Sequence, residues 1–182
     1  MKPAIVLLIL FVIATRPANA QPPQLPTAEK EHAWLQKFNG QWESNSKSIA
    51  SDQSPEVECT GSMSSRMLGE FWVINRFEGE AGGQSFQAIQ TIGYDTTKKK
   101  YVGSWVDSML NHMWQYSGTV SEDGKRLELV ADGPNFMDGG KLTKFRDSYE
   151  FQSPDVCIAT SEIQNEDGKW TVMMQGKMTR VK

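Results

Sequence analysis

Leu68-Gly69-Glu70-Phe71-Trp72-Val73, then Phe77-Glu78-Gly79-Glu80-Ala81-Gly82-Gly83, then Ile92-Gly93-Tyr94-Asp95-Thr96-Thr97-Lys98-Lys99-Lys100-Tyr101-Val102-Gly103-Ser104-Trp105-Val106-Asp107-Ser108-Met109 decide the fold of this chain. Each piece carries apolar residues at a spacing of two, the period of a half-buried strand. Between the pieces lie glycines and polar residues that suit tight turns. The block predicts the centre of an antiparallel meander and contains no readable catalytic motif.

The same period extends outward. Strands are expected at Gln41–Ser48, Glu56–Met67, Phe71–Glu80, Ser85–Tyr94, Tyr101–Met109, His112–Val120, Arg126–Ala131, Lys141–Gln152, Val156–Asn165 and Trp170–Val181. Glu122-Asp123-Gly124-Lys125 and Glu166-Asp167-Gly168-Lys169 place Asp-Gly between strands, the pair that accepts the positive φ of hairpin turns. Ala81-Gly82-Gly83 and Gly133-Pro134 read as further breaks. No long helical pattern intervenes, which excludes parallel crossover units. About ten antiparallel strands with short loops must protect their edges. Closure into an up-and-down β-barrel does so completely, and a two-sheet sandwich is the alternative. Upstream, Thr27 is the expected N-cap of one short helix that carries Trp34, Leu35 and Phe38 on one face and stops at Asn39-Gly40.

The chain begins with Lys2, an apolar run from Pro3 to Ala14, and Ala18-Asn19-Ala20. This is the pattern of a secretory signal peptide over residues 1–20, too short to span a bilayer of about 30 Å. We therefore expect an exported protein, periplasmic or extracellular, with no stable membrane insertion. Residues 21–27 form a Pro/Gln-rich tail, and residues 28–182 form a single domain, a length that buries one core. Removing residues 1–20 takes away Lys2 and Arg16 and no acid, which moves the net charge from −3 to −5. That balance argues against nucleic acid, and Lys98-Lys99-Lys100 reads as a solvated turn. Two cysteines, Cys59 and Cys157, allow either a disulfide or two buried thiols. With no third cysteine or nearby histidine they fall short of a metal site.

Gly40-Gln41-Trp42 at the first strand and Arg180 near the end of the last resemble the closure pair of lipocalin-like barrels, in which the guanidinium packs over the indole. The Leu68–Met109 block, with Gly40-Gln41-Trp42 upstream and Asp138-Gly139-Gly140-Lys141 later, makes the chain resemble the family called domain of unknown function 1579 across almost all of residues 21–182. The resemblance implies a calycin-like barrel and transfers no catalytic residue. Phe71-Trp72 after Leu68-Gly69-Glu70 departs from the family and makes one strand more aromatic.

Enzyme signatures are scarce: no Gly-x-Ser-x-Gly, no phosphate-binding glycine loop and no His-Glu-x-x-His occur. No cofactor is expected; His112 is the sole candidate axial ligand for a haem, and His32 reads as a solvated helical residue. The ligand-binding candidates are Phe71, Arg76, Trp105, Asp107, His112, Trp114 and Tyr116, which bring aromatic walls and polar handles to one end of a barrel. Three functions stand open. One is a binding module for a small, mainly apolar ligand. The second is an enzyme that uses Asp107 and His112 as an acid–base pair. The third is a filled barrel acting through its surface. Oligomeric state and ligand identity are not legible.

Overall fold

The computed structural model describes residues 25–49 and 56–182. The expected signal peptide lies outside the described residues. Ten strands follow in order: β1 Gly40–Ser48, β2 Glu58–Leu68, β3 Trp72–Ala81, β4 Gln84–Asp95, β5 Lys100–Asp107, β6 Trp114–Val120, β7 Arg126–Asn135, β8 Lys141–Ser153, β9 Val156–Gln164 and β10 Trp170–Arg180. Each pairs antiparallel with its sequence neighbour, and β1 closes on β10, so the sheet is a barrel with no free edge. The expected up-and-down barrel is the observed architecture. Gly124 and Gly168 take positive φ in the two Asp-Gly turns.

Three local expectations are corrected. The helix α1 spans Lys30–Trp34 and continues as a 3-10 turn over Leu35–Phe38, with Glu29 rather than Thr27 at its N-cap. The reason is His32, whose Nδ1 accepts the Glu29 backbone N–H at 2.9 Å and fixes the first turn there. His32 is also buried rather than solvated, since its other ring nitrogen meets the Tyr94 carbonyl at 3.1 Å. Finally, β7 runs through Gly133-Pro134, which pair with Thr143 and Leu142; the chain turns later, at Gly139 and Gly140.

The α1 segment stoppers one end of the barrel. Leu35 and Phe38 are fully buried, and Phe38 stands edge-on to Tyr149 and Phe151 at 5.1 and 5.2 Å. The Trp34 indole donates to the Gly124 carbonyl at 2.8 Å, and the Tyr101 hydroxyl donates to the Glu31 carbonyl at 3.0 Å. Below the stopper lie Trp42, Met63, Val73, Ile92, Leu127, Leu129 and Met178, each at most 2 % exposed. A polar ladder crosses this core. The Ser65 hydroxyl donates to Asn75 at 2.6 Å, Asn75 to Gln90 at 2.9 Å, and Gln90 to the Tyr149 hydroxyl at 3.0 Å. Every member has a partner, the condition for tolerating polar groups in a core.

Trp42 and Arg180 are register partners across the β1–β10 seam, with the guanidinium 4.1 Å from the indole centroid. The glycine of Gly40-Gln41-Trp42 has a physical cause here. It sits at φ +123°, and a Cβ there would fall 2.7 Å from an Arg180 nitrogen.

The two cysteines are free thiols. β1 and β10 lie between β2, which carries Cys59, and β9, which carries Cys157. Three strand spacings amount to about 14 Å around the sheet, about twice the reach of a disulfide. Burial raises both thiol pKa values, that of Cys157 to about 12. Thiol titration of the unfolded, unreduced protein is expected to count two reactive groups, against none for a bridged protein. Arg180→Ala is expected to lower stability by about 1–2 kcal/mol in chemical denaturation, from lost cation–π and packing contact; an unchanged midpoint would show that the seam does not need it.

Candidate functional site

Burial changes along the barrel axis. On β3 the inward residues run from buried Val73 and Asn75 to partly exposed Phe77 and Gly79. On β8, read from the stoppered end, they run from buried Phe151 and Tyr149 to partly exposed Asp147, Phe145 and Thr143. On β10, buried Met178 gives way to partly exposed Gly176 and Met174. On these three strands the inner wall is buried beside α1 and partly exposed in the opposite half, whereas Ala131 and Gly133 on β7 stay buried throughout and Gly118 and Val120 on β6 are partly exposed at the α1 end.

Four aromatic rings line that open half. Trp105 on β5 and Trp114 on β6 are register partners. Phe77 lies 5.0 Å from Trp105, and Phe145 lies edge-on to Trp114 at 4.7 Å. Small residues make room between them. Ala88 on β4 pairs with Phe77 on one side and Asp107 on the other. Gly133 on β7 lies under the Trp114 ring, and a Cβ there would be 2.1 Å from it. These spacings are those of favourable aromatic pairs.

The floor of the open half is polar. The Tyr116 hydroxyl donates to one oxygen of Asp147, and the Ser161 hydroxyl donates to the other at 2.5 Å. Burial pushes the Asp147 carboxyl above the usual aspartate range, and the Ser161 and Tyr116 hydrogen bonds only partly offset it. Among the described residues no cation pairs with Asp147. Its chain neighbour Arg146 points the other way and is held on the outer face by Glu162 at 2.6 and 2.9 Å, over the Trp170 ring at 4.5 Å. Burial, and then the Asp147 charge, raise the Tyr116 phenol well above its ordinary value, so it remains a donor.

The residues singled out from the sequence are only partly brought together. Trp105 and Trp114 line the open half, with Asp107 and His112 at its rim. Tyr116 lies deeper, buried at the floor. Phe71 is at the other end, edge-on to His32 at 5.2 Å beside α1. Arg76 is exposed on the outer face, because Val73, Asn75 and Phe77 take the inward positions of β3. Asp107 spends its carboxylate locally. One oxygen accepts the Trp105 indole at 2.8 Å, and the other accepts the Met109 and Leu110 amides at 2.8 and 2.9 Å. Those bonds end β5 at Asp107. His112 instead stands edge-on to Trp114 at 4.9 Å, with its Nε2 buried and without a partner.

Asp147, Ser161, Phe77 and Phe145 were missed. The signal for Asp147 was present: in Phe145-Arg146-Asp147-Ser148-Tyr149-Glu150-Phe151, strand alternation puts this one acid on the face of three aromatics.

Two grooves open elsewhere. One, of about 530 Å³, runs along β1, β2, β9 and β10 and includes Lys47, Glu58, Thr60 and Lys177. The other, of about 400 Å³, lies between α1 and the strands that carry Tyr94, Tyr101 and Thr119. Both have mixed, solvated linings and neither contains the aromatic wall.

A closed antiparallel barrel with one end stoppered and the other open has the architecture of the calycin-like barrels. Within that class the chain belongs to the family described as Protein of unknown function (DUF1579), which matches residues 27–180. Among solved structures it is similar to Rv2717c from M. tuberculosis, with a TM-score of 0.62 and 11 % identity over 86 % of this chain and 100 % of that one. It is also similar to the S-type phycobiliprotein lyase CPES from Guillardia theta, with a TM-score of 0.55 and 16 % identity over 86 % of this chain and 99 % of that one. At these identities the likeness is one of fold. No curated protein matches the chain.

The Asp147 carboxyl, enclosed by Tyr116 and Ser161 although the residue keeps some exposure, gives a pH prediction. Its folded pKa is raised, by burial against Tyr116 and Tyr149 with only hydroxyl partners. The fold therefore favours the protonated form, and that stability is lost as pH rises from the ordinary aspartate value through the raised one. Asp147→Asn keeps an acceptor for Tyr116 and removes the charge. Thermal melts are expected to show the variant more stable than the parent at pH 7.5, with the advantage shrinking towards pH 4. A difference that does not change with pH would contradict the assignment.

Proposed function

We propose that the protein is an exported barrel that binds a small, mainly apolar molecule in the open half of its lumen. The observation that carries this reading is the group of partly exposed inward aromatics Phe77, Trp105, Trp114 and Phe145 in the half away from α1, with inward residues of β3, β8 and β10 passing from buried to partly exposed towards them. Concave aromatic surface with few polar groups suits such a ligand. The rim agrees. Of the twelve large apolar residues that the described chain exposes, seven surround the open end: Ile49, Met109, Leu110, Met113, Phe136, Met137 and Leu142. Apolar side chains gathered at one mouth, and not scattered, favour the entry of apolar matter there. Export rests on the sequence pattern of residues 1–20.

The other two functions fit less well. An acid–base pair needs Asp107 within hydrogen-bond reach of His112. Asp107 instead accepts from Trp105, Met109 and Leu110, and His112 Nε2 has no partner. A completely filled barrel would bury Phe77, Phe145 and Asp147 as thoroughly as Val73 and Leu129, and it does not.

The test is a fluorescent apolar dye such as ANS. The folded protein is expected to bind it, shift tryptophan emission, and release it to medium-chain alcohols. Trp105→Ala is expected to weaken dye binding about tenfold, since an aromatic wall is lost, while the melt stays cooperative. No dye binding, together with a stability loss of about 3–5 kcal/mol for Trp105→Ala, is the pattern of a packed core truncation and would overturn the reading.

A further inference from the structure

We propose that the lumen selects ligands bearing a cationic amine, with Asp147 as the anchor at its floor. This deepens the reading above and rests on it. Asp147 lies on β8 between Phe145, which faces Trp114, and Tyr149, which belongs to the polar ladder of the closed half. It therefore marks the boundary where the packed core ends and the accessible lumen begins. Part of the residue remains exposed, although its two hydrogen-bond partners, Tyr116 and Ser161, occupy inward positions.

A carboxylate has about four acceptor positions. Here Tyr116 and Ser161 take one each, and both donors are uncharged. A buried acid normally meets an arginine or lysine, because an unpaired charge in a low-dielectric site is costly. The chain has that arginine one residue away and directs it outward to Glu162. Asp147 is left with two hydroxyl donors, free acceptor capacity and a burial cost that a cation would relieve. An incoming ammonium group supplies both the missing hydrogen-bond donors and the missing charge.

The rest of the lumen sets the remainder of the ligand. Asp147 is six residues from Lys141 at the open end of β8, or about 20 Å along a tilted strand. The amine therefore enters first, and an apolar body follows between Trp105, Trp114, Phe77 and Phe145, with its far end at the apolar rim. The arrangement predicts a preference order for ligands of one shape: amine over neutral alcohol, and alcohol over carboxylate, whose charge would face that of Asp147.

The experiment compares decylamine, 1-decanol and decanoate for displacement of a neutral apolar dye from the intact protein, at an ionic strength that screens surface charge. For the parent protein, decylamine is expected to bind at least tenfold tighter than decanol, and decanoate weaker than either. In Asp147→Asn, checked for a native circular dichroism spectrum, the amine-to-alcohol ratio is expected to fall to within threefold. Because the parent comparison alone tests the proposal, it stands even if the variant fails to fold. Decanol binding as tightly as decylamine would overturn the amine anchor and leave the binding function intact. A preference that survives in Asp147→Asn would also overturn it, by locating the selectivity elsewhere. If none of the three displaces the dye, both the anchor and the proposed function fall.

Discussion

The rest of the structure depends on how Arg180 is held. Its guanidinium lies over the Trp42 indole at 4.1 Å and donates to three backbone carbonyls. These are Asn39 and Lys37 of the stopper segment, the latter at 3.0 Å, and Pro154 of the β8–β9 turn at 2.9 Å. Asp155 completes the shell at 3.3 Å. One side chain thus ties the last strand to the first, the first strand to the stopper, and the stopper to the turn beyond it. A planar group with five donors is suited to this and a lysine is not. The Trp42 indole reinforces the joint by donating to the Phe38 carbonyl at 2.7 Å.

Because that joint fixes the stopper, the barrel is asymmetric. Phe38, Leu35 and Trp34 fill the end they cover, and the polar ladder from Ser65 to Tyr149 pins β2, β3, β4 and β8 together just below. Phe38, Leu35, Asn75 and Gln90 there are fully buried. The open half is then free to carry features that a packed core would reject: aromatic faces in contact with water, a carboxylate without a cation, and a rim rich in exposed methionine and leucine. Such local conflicts with folding rules are the places where function is expected to reside.

The sequence was informative about the barrel and much less so about its interior. Period-two patterning and the Asp-Gly turns located all ten strands to within a few residues, since both signals are local. Gly-x-Trp and a late arginine identified the seam, because their chemistry is specific even though the residues are far apart in sequence. The inward faces of β5 and β6, with Trp105, Trp114 and Tyr116, are legible in the alternation, but that of β3 is not. Trp72-Val73-Ile74 places three apolar residues in a row, so β3 gives no parity of its own, and Arg76, a ligand-binding candidate that could face either way, points outward while buried Asn75 holds the inner position. The polar residues inside, Asn75, Gln90, Ser65 and Asp147, blur the alternation that parity is read from. The cysteines and His32 were uncertain for a different reason. Their neighbours are set by closure and by the stopper, which bring together segments separated by 60 residues or more, such as His32 and Tyr94.

Indole hydrogen exchange distinguishes a barrel sealed around Trp42 and accessible around Trp105 from one packed throughout. Trp42 donates its N–H to Phe38 inside the sealed half, while Trp105 donates to Asp107 at the accessible mouth. Measured by NMR on the native protein, the Trp42 indole proton is predicted to exchange only through global unfolding, and the Trp105 indole proton orders of magnitude faster, through local contact with water. Equal, strong protection of both would contradict the account by showing a barrel packed throughout, and rapid exchange at Trp42 would show that the arginine joint does not seal it.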